Sequence, residues 1–133
     1  MQQTESAPFG SQQSNGIIRN RSNTQIGRID ADGVVRNSCN TQIGKIEANG
    51  VLRDRSNVQI GKIETDGVVR DRSNVQIGRV QSDGIVRNSS NTQIGKIEAD
   101  GVLRNSSNTQ IGLTKGIRRE WAAVLFFFFV FDF

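Results

Sequence analysis

Residues 33–50 read GVVRNSCNTQIGKIEANG, and the interpretation of this stretch decides the fold. It holds two short segments of strand character, VVR at 34–36 and TQIGKI at 41–46, divided and followed by two different polar turns. One is the Asn-Gly at its end, the same device as EADG at 98–101, where Gly supplies a positive φ and a tight hairpin follows. The other is NSCN, closing on Asn40. Asn is the non-Gly residue most tolerant of the left-handed conformation that such a turn needs.

The stretch is one copy of six. Gly16, Gly33, Gly50, Gly67, Gly84 and Gly101 recur every seventeen residues, and so do Gly27, Gly44, Gly61, Gly78, Gly95 and Gly112. The closing Asn recurs at 23, 40, 57, 74, 91 and 108, and the repeats span residues 16–117, the last copy decaying into LTKGI. Two strands per copy predict a mainly β protein, a closed antiparallel barrel of about twelve short strands with pseudo-sixfold symmetry. A left-handed β-helix competes, because its coils are of similar length and carry an Ile-Gly pair. Two turn signals per unit rather than three, and the edge-free ring that six hairpins make, favour the barrel.

Within the unit, Ile43 and Ile46 are three apart, so a regular strand sends them to opposite faces. A bulge at Gly44 would return both to one side, and the same holds at the five equivalent glycines.

Composition narrows the function. The 133 residues are 35% hydrophobic, with no His, no Tyr and the single Cys39, at a net charge of +4. That composition disfavours a disulfide framework, CxxC zinc chemistry and His-based acid–base catalysis, and no nucleophile–base constellation stands out, so neither an enzyme nor a cofactor or metal site is expected. DADG and ETDG faintly suggest calcium loops but lack the ligand number, and Asp-Gly is already turn chemistry. The bases lie around the ring without an aromatic stacking platform, which argues against nucleic acid as a partner. Residues 1–15 read as a flexible, disordered N-terminal arm without a secretory signal, and a cytoplasmic monomer is the expectation, peripheral at a membrane if lipid is its partner.

The sequence ends EWAAVLFFFFVFDF, residues 120–133, holding six of the seven Phe and the only Trp. Twelve strands about 4.8 Å apart, tilted about 40°, enclose a backbone diameter of roughly 24 Å and a free bore of roughly 12 Å. A helix with its side chains is about 10–12 Å across. A helix over Ile117 to about Phe131 is therefore predicted to thread the barrel, residues 16–133 forming one domain, with Trp121, Leu125 and Phe128 in its core. The β propensity of FFFFVF is opposed by the lack of any free strand edge inside a closed barrel. Insertion into a membrane or a partner is the alternative, although the apolar run is shorter than the ~20 residues that span a bilayer.

The strand motifs IGRIDADG, IGKIEANG, IGKIETDG, IGRVQSDG and IGKIEADG resemble those of the β-flower proteins, shallow barrels of repeated hairpin petals. The architecture is also similar to the Tubby C-terminal domain, a twelve-stranded barrel threaded by a hydrophobic C-terminal helix, in a family that binds phosphoinositide membranes. No phosphoinositide site of that family can be matched residue by residue here.

Arg19, Arg36, Arg53, Arg70, Arg87 and Arg104 form a candidate anion-binding ring, and Arg28, Lys45, Lys62, Arg79 and Lys96 a second one interrupted at Leu113. The structural reading, which we favour, pairs these bases across strands with Asp30, Glu47, Glu64 and Glu98. Two functions are compatible with this pattern: a non-catalytic structural or interaction module with an unknown protein partner, or, as the Tubby resemblance implies, a domain binding anionic lipid.

Overall fold

The computed structural model describes residues 16–129 together with 131 and 133; the expected N-terminal arm lies outside the described residues. Twelve strands run in chain order: β1 (Gly16–Asn20), β2 (Gln25–Ile29), β3 (Val34–Asn37), β4 (Gln42–Ile46), β5 (Val51–Asp54), β6 (Gln59–Ile63), β7 (Val68–Asp71), β8 (Gln76–Val80), β9 (Ile85–Asn88), β10 (Gln93–Ile97), β11 (Val102–Asn105) and β12 (Gln110–Lys115). Each pairs antiparallel with its neighbours in the chain, and β1 pairs with β12. The sheet is thus a closed barrel of hairpins, and stacked coils are ruled out.

Both kinds of turn use one plan. In the Asn turn, the Asn40 N–H donates to the Asn37 carbonyl at 3.0 Å. The Asn37 Oδ1 accepts from the backbone N–H groups of Cys39 and Thr41. In the Asp-Gly turn, the Gly33 N–H donates to the Asp30 carbonyl at 2.9 Å. Asn40 and Gly33 each hold a positive φ, 68° and 93°. The two residues are not interchangeable, because a Cβ on Gly33 would run into the carbonyl oxygen of Ile46 on the facing strand. The hairpin closed by Gly leaves no room for a side chain.

Alternation along the strands gives the barrel two inner layers. Nearer the Asp-Gly rim, each strand contributes one residue to a buried ring: Ile18, Ile29, Val35, Ile46, Leu52, Ile63, Val69, Val80, Val86, Ile97, Leu103 and Thr114, none more than 4% exposed. Thr114 replaces an aliphatic residue where the last repeat decays. Nearer the Asn rim, the inner positions are the glycines, Gly27 lying opposite Asn37 and Gly44 opposite Asp54. Between the layers the wall faces outward at Arg28 and Arg36, a directly opposed pair.

The bulge is present in every hairpin that an Asn turn closes, but not at glycine. In the second repeat Val35 pairs with Gly44 and Arg36 with Gln42, so the residue left over is Ile43. Gly44 stays in the regular ladder, and its φ is not positive. Each such glycine is required for space. A Cβ on Gly44 would strike the ring of Phe131 and stand 2.9 Å from the Arg53 carbonyl oxygen.

The tail accounts for that space. After β12 the chain turns at Gly116 (φ 73°) and enters the bore as α1 (Arg119–Ala123), which passes into a π-helical turn over Val124–Phe128. Trp121, Ala122, Ala123, Val124 and Leu125 are buried in the core cluster formed with the aliphatic ring. Helix therefore ends at Phe128, three residues short of the expected Phe131, and Phe129 is extended at φ −127°, ψ 143°. The reason lies in the wall. An α-helix turns about 100° per residue, whereas six petals are set about 60° apart around the barrel. Successive rings can meet successive petals only if the chain widens and then unwinds along the wall. It does so: Phe126 covers Gly112, Phe127 Gly95, Phe128 Gly78, Phe129 Gly61, Phe131 Gly44 and Phe133 Gly27. One Phe occupies the hollow of each glycine, petal by petal, in reverse chain order.

Candidate functional site

The outer wall is a belt of cations. Where one repeat meets the next, two bases stand directly opposite: Arg28 and Arg36 across β2/β3, Lys45 and Arg53 across β4/β5, Lys62 and Arg70 across β6/β7, Arg79 and Arg87 across β8/β9, and Lys96 and Arg104 across β10/β11. At the closing seam, β12/β1, Arg19 faces Leu113. Like charges directly opposed on a sheet repel, so each seam needs a compensating group.

Most seams carry one. The Asp30 carboxylate bridges its seam, Oδ1 accepting from Arg28 Nε at 2.8 Å and Oδ2 from Arg36 Nε at 2.9 Å. Glu47 accepts from Arg53 Nε at 3.1 Å, Glu64 from Arg70 at 3.3 Å and Glu98 from Arg104 at 3.2 Å. Burial alone would raise the pKa of Asp30, but the hydrogen bonds and charges of Arg28 and Arg36 outweigh it and hold the carboxyl below its ordinary value. At β8/β9 the equivalent residue is Gln81, whose amide oxygen accepts from Arg87 Nε at 2.8 Å.

Each ring arginine also reaches the Asn rim, Nη1 donating to the carbonyl of the left-handed Asn four residues on, as in Arg36 to Asn40 and Arg70 to Asn74 at 3.1 Å. All six, from Arg19 to Arg104, make this bond. The structure therefore brings the ring together but engages its guanidinium groups with the fold. The bond also caps the turn, because the carbonyl of a left-handed residue points away from the ladder. Similarly, Asp32 does not reach toward a cation: its Oδ1 accepts the Val34 N–H at 3.2 Å within its own turn.

Of the core residues expected in the tail, Trp121 and Leu125 lie in the buried cluster, while Phe128 is half-buried at the end of the helix with its ring over Gly78. Sequence reasoning missed the partnership between the Phe residues and the glycines. A signal was present in the equality of six tail Phe and six repeat glycines. Trp121 has a further peculiarity, since its indole Nε1–H is buried without an acceptor among the described residues.

A family model described as "5-fold beta-flower protein" matches residues 1–77 and 17–130, most of the chain. The chain belongs to that family. No curated protein and no solved structure matches it. Against the β-flower description, the repeat number is distinctive: six hairpins and twelve strands close this barrel. The β-flower wall also explains why the variable residues collect at the rims, since mid-strand positions are tied to the inner layers and the cation belt. At the Asn rim, the turns of the adjacent third and fourth petals carry Arg55 and Arg72, followed by Val58 and Val75, which are 45% and 56% exposed. The other petals have Thr in place of those valines.

Proposed function

We propose that the chain is a non-catalytic interaction module, a rigid barrel that meets its partner with the Asn rim. The observation carrying this reading is the contrast between committed and uncommitted side chains. The repeated Arg, Asp and Glu side chains bond to the wall, and the tail Phe rings fill its glycine hollows. Val58 and Val75, in contrast, stand out in solvent on neighbouring turns, where Thr serves the same backbone equally well. Exposed aliphatic side chains that the fold does not need point to a surface shaped for contact.

Association with an anionic lipid surface is the second reading, favoured by the placing of Arg55 and Arg72 on those same two turns. Two shallowly inserting valines beside two cations suit a headgroup layer. Co-sedimentation with phosphatidylcholine vesicles, with and without phosphatidylserine, separates the readings. Binding confined to anionic vesicles, weakened by salt and abolished by V58T/V75T/R55S/R72S, supports lipid. Absence of binding to either vesicle leaves a protein partner. A partner footprint mapped by hydrogen exchange to the Asp-Gly rim instead would overturn the assignment of the Asn rim.

A further inference from the structure

The β8/β9 seam differs from its counterparts in one respect that bears on ligands. Arg79 and Arg87 are opposed in register like Arg28 and Arg36, but Gln81 stands where Asp30 bridges the equivalent pair. Gln81 satisfies Arg87 Nε and brings no charge. The Arg79 side chain makes no hydrogen bond or ion pair among the described residues, and it alone among the second-ring bases is exposed rather than half-buried. Arg87 spends Nε–H on Gln81 and one Nη1–H on the Asn91 carbonyl. Of the five N–H donors that each guanidinium carries, most at this seam face outward without a carboxylate. A third guanidinium lies near the same seam's Asp-Gly turn, where Arg119 Nη1 donates to the Ser82 carbonyl at 2.6 Å.

We infer that the Arg79–Arg87 seam is an anion site that takes a phosphate group. The molecule supplies the template for its binding mode. At β2/β3 a carboxylate lies between two opposed guanidinium groups and bonds to both within 2.9 Å. A phosphate at β8/β9 bridges the opposed pair from outside, on the N–H groups that Gln81 and the Asn91 carbonyl leave free, with more oxygens to offer and up to two charges to neutralise the pair. Arg rather than Lys on both strands suits this, because the planar fork grips two oxygens at once. Every other described inter-repeat pair of bases has its own acid. The site is on the outer wall; Arg87 Nη1 also holds the Asn91 carbonyl at the Asn rim, but the site uses none of Arg55, Val58, Arg72 and Val75 and stands or falls independently of the rim proposal. A free phosphate ester and a lipid phosphomonoester present the same group, and the geometry serves both.

The test tracks the arginine Nε–H resonances of the full chain during titration with inorganic phosphate, alongside co-sedimentation with phosphatidylcholine vesicles containing phosphatidic acid. The decisive variant is Q81D, which restores the carboxylate found in the sister seam and preserves the fold; R79Q is the second. Saturable shifts confined to Arg79 and Arg87, with affinity reduced about tenfold or more in both variants, bear the inference out and identify soluble phosphate as sufficient. Vesicle binding lost in Q81D without a response to free phosphate also bears it out, and assigns the phosphate to a lipid. Uniform shifts across the belt, or binding of either kind that Q81D leaves intact, overturn it. A further expectation is that Q81D raises the melting temperature of the unliganded protein and abolishes its stabilisation by phosphate.

Discussion

At the scale of single residues, the fold rests on glycines of two kinds. Gly33 and its equivalents answer a dihedral demand and a steric one, while Gly44 and its equivalents answer only the second. Gly61 belongs to the second kind: its absent Cβ would meet the Phe129 ring and the Arg70 carbonyl oxygen, 2.7 Å away. Gly61→Ala is expected to destabilise by about 1–3 kcal/mol, the usual cost of overpacking a filled site. Combining it with Phe129→Ala should recover little, because the carbonyl still obstructs; a double-mutant cycle on thermal melts reads this coupling. Asp30 makes a pH-dependent contribution. Its pKa is lowered on folding from an ordinary 3.8, so the native state binds its proton less readily than the unfolded chain. The stabilisation is in place above that ordinary value and is lost as pH falls through the lower, folded one. Denaturant melts of wild type and Asp30→Asn should therefore differ near neutrality and draw together under strong acid. A gap that stayed constant would assign the loss to hydrogen bonding rather than charge.

At the scale of elements, the strands were readable in the sequence because their causes are local: a residue in the left-handed region at alternating intervals of ten and seven positions, and short apolar runs between. The bulge was also readable, since Ile43 and Ile46 could not otherwise share the interior, but its site was not. Gly44 looked like the distorted residue, and only the register shows Ile43 left over. The path of the tail was less legible still. Its burial follows from composition, whereas the change from α1 to a π-helical turn and then to extended chain follows from the positions of six hollows that no local window contains. In the outer belt, the pairing of bases with acids could be anticipated from the repeat, and the exception at Gln81 could not be weighed until the register set Arg79 against Arg87. The tail divides into two parts with separable effects. Removing residues 126–133 should leave α1 in the bore but empty all six hollows; removing 120–133 empties the bore as well. Each buried aromatic contributes on the order of 2–3 kcal/mol against a total of about 5–15. The longer truncation is thus expected to aggregate or unfold, and the shorter to survive at best as a loosened barrel binding a hydrophobic dye. A monomeric 1–119 chain with unchanged melting temperature would mean that the tail is not the core.

At the scale of the whole molecule, wall and plug are matched in number, which makes the repeat count a structural parameter. Six petals supply six glycine hollows, six Phe residues fill them, and a twelve-residue inner ring surrounds Trp121 and Leu125. Barrel diameter grows roughly linearly with strand number. Excising residues 67–83 removes one complete period and leaves the register of every remaining hairpin intact, yet it would narrow the wall by about a sixth. A bore of roughly 12 Å would lose about 4 Å, and α1, which needs about 10–12 Å, would no longer pass. Phe128 would at the same time lose Gly78, its hollow. The five-petal derivative is therefore expected to expel its tail and self-associate, despite the family's five-fold description, because this plug is sized for six. Gel filtration with the near-ultraviolet circular dichroism of Trp121, the chain's one indole, reads the outcome: loss of the aromatic signal with a shift to large species. Shortening the plug by Phe128 alone should not rescue the derivative, since the helix remains too wide. If it did rescue a compact monomer, the constraint would lie in the pairing of Phe with Gly rather than in the width of the bore, and the ring of Phe residues rather than α1 would set the number of petals.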